Sequence, residues 1–114
     1  MPHRSWGFRI ADIVEAINNV LDYTDGMGYE NFISDRKTID AVIRNFIVIG
    51  EASSRLPDAL VEKYPDVPWR EMRDMRNIRV HEYFGIDNRV VWETIKKNLP
   101  PILPLLQKIM EKTA

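Results

Sequence analysis

Apolar residues recur three or four positions apart through most of the chain. From Phe8 they fall at Ile10, Ile13, Val14, Ile17, Val20 and Leu21, with Asp12, Glu15, Asn18, Asn19 and Asp22 between them. That is the pattern of a helix with one buried face. Ser5 is placed to cap it and Gly26-Met27-Gly28 to stop it. A second helix is predicted from near Ser34, whose hydroxyl can cap, through Ile39, Val42, Ile43, Phe46, Ile47 and Ile49 to about Arg55, ahead of Pro57. Taken alone, Phe46-Ile47-Val48-Ile49 also fits a strand. The helical spacing before it and the polar Glu51-Ala52-Ser53-Ser54 after it favour a helix buried on most sides.

Pro57, Pro65 and Pro68 leave room for a short helix between Pro57 and Tyr64, followed by a rigid connection. Pro68 suits the first position of the next helix, where its missing N–H is not needed. That helix carries Trp69, Met72, Met75, Ile78 and Tyr83 before Gly85 releases the chain. Asp87 can cap a last helix bearing Val90, Val91, Ile95 and Leu99. Pro100-Pro101 and Pro104 are expected to interrupt it before Leu105, Leu106, Ile109 and Met110 resume, Pro104 being suited to the first turn of a separate terminal helix. The pattern predicts an all-α fold, an antiparallel bundle of four long helices plus one or two short ones, in a single domain over residues 1–114.

Composition narrows the function classes. A chain of 114 residues with 45% hydrophobic content supports one core. Its longest strictly apolar run, Phe46–Ile49, is far short of the ~20 residues a membrane-spanning helix needs. Asp12 and Glu15 interrupt what would be the apolar stretch of an export signal, so a cytoplasmic protein without membrane contact is expected. There is no cysteine and there are two histidines. That excludes a disulfide framework and a thiol nucleophile, leaves little for a protein-only zinc site, and points to no metal or other cofactor. The net charge of −1 excludes a general electrostatic attraction to nucleic acid. Its distribution is uneven: −3 over residues 1–33, −1 over residues 34–67 and +3 over residues 68–114.

The positive excess includes arginines at 70, 73, 76 and 79, interleaved with Glu71, Asp74 and Glu82. One reading is a solvated face of ion pairs. On an ideal helix, however, Arg73, Asn77 and His81 share one face and Arg76 and Tyr83 another, while Arg76 and His81 are about 140° apart. Bringing Arg76 and His81 together needs a reaching arginine, a distorted helix, or two copies of the helix facing each other.

Arg76-Asn77-x-x-x-His81-x-Tyr83 resembles the Arg-x4-His-x-Tyr signature of the HEPN superfamily. The surrounding Pro68-Trp-Arg-Glu-Met-Arg-Asp-Met-Arg-Asn77 and His81-Glu-Tyr-Phe-Gly-Ile-Asp87 resemble its HepT-like ribonuclease-toxin branch. The Ile49-Gly50-Glu51-Ala52 segment, the proline-rich connection and the length extend the likeness over essentially the whole chain. The resemblance implies a metal-independent endoribonuclease that forms a homodimer, with the two motifs building one composite site. His81 would be the acid and base and Arg76 the cation that stabilises the phosphorane, with Asn77 orienting phosphate or imidazole. Arg73 and Arg79 are supporting phosphate contacts or members of ion pairs. The resemblance also implies a type VII-like toxin–antitoxin system, in which an MntA-like nucleotidyltransferase antitoxin transfers AMP to Tyr83. A non-catalytic HEPN subunit that binds nucleotide and docks onto a nucleotidyltransferase is the alternative, and a helical interaction protein with an accidental motif is the blander one.

The remaining candidates carry less. Glu51 either pairs with an arginine such as Arg73 or Arg79 or faces solvent. Trp69 and Trp92 either stack on bases or belong to the core or a dimer interface. His3 is assigned no role.

Overall fold

The computed structural model describes residues 4–77 and 87–113. Over these residues the chain is an all-α bundle, as the periodicity predicts. Helix α1 spans Arg4–Tyr23, α2 Tyr29–Ile33, α3 Arg36–Ser54, α4 Asp58–Lys63 and α5 Trp69–Asp74, which tightens into a 3₁₀ turn over Met75–Asn77. Beyond Asp87, α6 (Asn88–Glu93) passes through a π turn at Thr94–Asn98 into α7 (Leu99–Thr113). The long α1 and α3 pack side by side, with α7 against α1 and with α5 and its 3₁₀ turn against α3.

The core is built from the predicted stripes. Ile10, Ile13, Ile17 and Val20 of α1 meet Ile39, Val42, Ile43, Phe46 and Ile49 of α3, and Met72 closes over them from α5. Phe8, Val90 and Met110 belong to the same sequence pattern but stay exposed, because each lies beyond the width of its helix's buried stripe. A polar contact also links α1 and α3: Asn19 Nδ2 donates to Asn45 Oδ1 at 3.3 Å, and the buried Asn45 donates onward to the Ala41 carbonyl. No helix among the described residues is long and apolar enough to cross a membrane.

Several boundaries differ from the sequence reading. The first helix spans Arg4–Tyr23, so Ser5 stands within it and not at the position before it. Its end is as expected: Thr24 donates its hydroxyl to the Val20 carbonyl, and Gly26 takes φ +76°, the left-handed conformation that turns the chain out of the helix. The short α2 was not predicted, since five residues hold too few apolar positions to show a period. Ser34 ends α2, its hydroxyl donating to the Glu30 carbonyl, and Asp35 is the residue that caps α3. Pro68 stands just before α5, at the capping position instead of the first helical one.

The largest departure concerns the prolines. Pro100, Pro101 and Pro104 do not break the last helix, which runs without interruption from Asn88 to Thr113. A proline removes one backbone donor and presses its ring on the carbonyl four residues back. Here the turn directly upstream widens, with Leu99 N–H donating to the Thr94 carbonyl five residues back. All three prolines are exposed, while Ile95, Leu99, Ile102, Leu106 and Ile109 keep a spacing of three or four across them and stay buried. Burial of that stripe holds the segment helical past the missing donors.

Asp35 gives a pH-dependent contribution. The Thr38 N–H donates to its carboxylate at 3.1 Å and the Thr38 hydroxyl at 2.8 Å. These bonds favour the ionised form and lower its pKa from the ordinary 3.8. A folded-state pKa below the unfolded one adds stability that is fully present above the unfolded value and is lost as pH falls through the folded value. Asp35→Asn keeps an accepting oxygen without the charge. The thermal midpoint of the native protein is therefore expected to exceed that of the variant at pH 6, and the gap to close as melts are repeated at progressively lower pH below about 4.

Candidate active site

The segment bearing Arg76 is positioned by a glycine. On α3, Gly50 is buried, and a Cβ built there would collide with the Arg76 backbone nitrogen and lie 2.8 Å from its Cα. The helix and the 3₁₀ turn therefore touch backbone to backbone, which a side chain at residue 50 would prevent. Arg76 is held by its main chain while its side chain is exposed, with no ion-pair partner among the described residues. A guanidinium on a fixed backbone and a free stem can turn its planar fork toward an anion.

The other predicted residues divide. Asn77 is exposed and lines a cleft of about 550 Å³, floored by Phe46, Met72, Val91 and Ile102 and bordered by Glu71 and Asp74. Arg73 points elsewhere: its Nε donates to the Ser53 carbonyl at 3.4 Å, at the end of α3, where a cation meets the negative pole of the helix. It thus helps fix α5 to α3. Among the described residues, Glu51 makes no ion pair with Arg73 or Arg76. It lies 4.0 Å from Arg55 one turn on, in an exposed pair of little energetic weight. Arg79, His81 and Tyr83 lie outside the described residues. Among those described, no three His, Asp or Glu side chains gather as a metal site would require.

The two tryptophans part company. Trp69 is buried, and its indole N–H donates to the Tyr64 carbonyl at 2.9 Å, closing the proline-rich connection onto α5. It cannot stack on a base. Trp92 is half-buried, its ring centroid 5.2 Å from that of Phe32.

Gly50 is the residue whose site role the motif alone did not reveal. The available signal was a glycine inside an otherwise strong helical pattern, which usually marks a close approach.

Residues 13–109 match the family model described as Ribonuclease HepT-like. The chain is similar to "Probable ribonuclease HepT" of Thermococcus cleftensis, at 41% identity over 88% of this chain and 91% of the relative. It is similar to "Putative RNase MJ1380" of Methanocaldococcus jannaschii, at 43% identity over 80% of this chain and 84% of the relative. It is also similar to "Putative RNase TTE0752" of Caldanaerobacter subterraneus, at 35% identity over 88% and 89%. No solved structure gives a significant match. A family match spanning most of the chain, on an all-α bundle that seats Arg76 against Gly50, establishes that this protein belongs to the HepT-like ribonuclease family.

Proposed function

We propose that the protein is a metal-independent endoribonuclease that works as a homodimer. The observation that carries this reading is the seating of Arg76: its backbone is locked on Gly50 and its guanidinium is exposed and unpaired among the described residues, in a chain of the HepT-like family. An RNA 2′-hydroxyl attacks the adjacent phosphorus, His81 of one copy takes the hydroxyl proton, and a bond forms from the 2′-oxygen to phosphorus. The bond from phosphorus to the 5′-oxygen breaks, and that oxygen receives a proton from a second imidazole, His81 of the other copy. Arg76 stabilises the charge that builds on the phosphorane oxygens. The products are a 2′,3′-cyclic phosphate and a 5′-hydroxyl. Asn77 and Arg79 orient the phosphate.

The same reading makes the protein the toxin of a type VII-like toxin–antitoxin pair. An MntA-like nucleotidyltransferase would silence it by transferring AMP from ATP to the Tyr83 oxygen, which loses its proton as the α–β phosphoanhydride bond breaks and pyrophosphate leaves, placing a phosphodiester charge and a nucleotide in the way of RNA. Purified protein is expected to cleave RNA in EDTA, leaving the cyclic phosphate end. Co-expression with the transferase is expected to add mass in AMP steps to the native protein and none to Tyr83→Phe. Cleavage that EDTA abolishes and a divalent cation restores would overturn the metal-independent mechanism. Nucleotide binding without RNA turnover would establish the non-catalytic subunit instead.

A further inference from the structure

An aromatic and cationic patch lies outside the motif, where α2 meets α6. Tyr29 at the start of α2 and Trp92 of α6 are both half-buried, with ring centroids 6.4 Å apart and planes inclined at 60°. The buried Phe32 supports Trp92 from beneath. A cation sits on each of the two outer rings: the Arg89 guanidinium 4.3 Å from the Tyr29 centroid, and the Lys96 ammonium 4.6 Å from that of Trp92. Arg89, Trp92 and Lys96 follow at i, i+3 and i+7, along one side of the last helical run.

The charges are what distinguish this patch from ordinary packing. Lys97, one residue further, is paired with Glu93 at 3.5 Å. Arg89 and Lys96 have no carboxylate at ion-pair distance among the described residues. Two uncompensated cations on two aromatic rings match what an unpaired nucleic-acid strand offers: phosphates for the charges, and base faces that stack on rings or on a guanidinium plane. Residue 89 follows Tyr83 by six positions, and six residues of chain span at most about 22 Å.

We propose that Tyr29, Arg89, Trp92 and Lys96 form a stacking subsite for single-stranded RNA, apart from Arg76 and His81, that holds the strand while it is cut. The subsite rests on the ribonuclease reading for its purpose, but its binding can be measured without turnover. The test uses His81→Ala protein, so that RNA is not consumed, and a labelled, short single-stranded oligouridine followed by fluorescence anisotropy between about 50 and 200 mM salt. Adding Arg89→Gln and Lys96→Gln is expected to weaken binding about ten-fold or more. The slope of log affinity against log salt should shrink by about 1.4, since each phosphate contact with a single strand contributes roughly 0.7. Tyr29→Leu, which keeps the charges, is expected to weaken binding about ten-fold with the slope unchanged. In protein that retains His81, the double variant is expected to raise KM for a long RNA and leave kcat in place. A dinucleotide should be cut as before.

Oligouridine binding that is absent, or that survives both sets of substitutions, would overturn the subsite. A double variant that binds RNA normally but no longer self-associates would do so too, by assigning the patch to contact between copies. The two readings fail separately: a protein that cuts no RNA yet binds oligouridine through Arg89 and Lys96 refutes the nuclease and keeps the subsite. A nuclease whose KM ignores the double variant refutes the subsite alone.

Discussion

His81→Ala is expected to lower the rate of RNA cleavage by about two to four orders of magnitude, and Arg76→Ala by about two to three. Those are the usual losses when a proton-transfer group or a fixed donor to the developing oxyanion is removed. Single-turnover cleavage of an end-labelled RNA measures both. The Arg76 side chain is exposed and lacks an ion pair among the described residues, so its truncation is expected to change stability by no more than about 0.5 kcal/mol. The loss of rate with an intact fold is what separates a catalytic arginine from a structural one. Arg76→Lys sharpens the distinction, since it keeps the charge but not the two-pronged geometry, and should fall between native and alanine. Cleavage at the native rate in either alanine variant would remove that residue from the mechanism.

Gly50→Ala is expected to damage stability and activity together, although residue 50 touches no substrate in the proposed mechanism. The added Cβ would meet backbone atoms of Arg76, which cannot swing aside as the tip of a flexible side chain can. Relief requires α3 and the 3₁₀ turn to separate, at about 1–3 kcal/mol for an overpacked contact of this kind. The separation carries Arg76 with it, and a misplacement of about 1 Å can cost about 100-fold in rate. Gly7→Ala is the matched control: among the described residues, nothing beyond its own stretch of helix lies within 4 Å of a Cβ built there, and the helix position gains about 0.4–1 kcal/mol from a less flexible unfolded chain. Chemical denaturation should therefore move in opposite senses for the two glycines, while the cleavage rate should fall for Gly50→Ala and stay native for Gly7→Ala. Gly50→Ala protein with native stability and rate would show that the close approach is dispensable.

Much of the helical framework is legible in the sequence because burial on one face leaves a period. Ile10, Ile13, Ile17 and Val20, or Ile95, Leu99, Leu106 and Ile109, predict their own burial. Asp87 is foreseen as a cap, and its carboxylate accepts from the Arg89 and Val90 amides. Competition between neighbours is harder to read. Ser34 and Asp35 both suit a cap, and the one whose oxygens reach the Thr38 amide and hydroxyl takes the position. The local rule for proline fails where a buried stripe and a widened turn maintain the helix.

The sequence by itself determined the all-α architecture, the helical faces that form the core and the Arg76-x4-His81-x-Tyr83 motif, since these depend on residue type and on spacing within one segment. Only the tertiary structure decided that Gly50 seats the Arg76 backbone, that Arg73 is bound to the end of α3, and that Arg89 stands over Tyr29. The physical reason is range. Periodicity and capping act within about four residues along the chain. Each of the latter contacts is decided by how separate helices close on a shared core, and Arg89 carries no mark in sequence of the ring it settles on, sixty residues earlier in the chain.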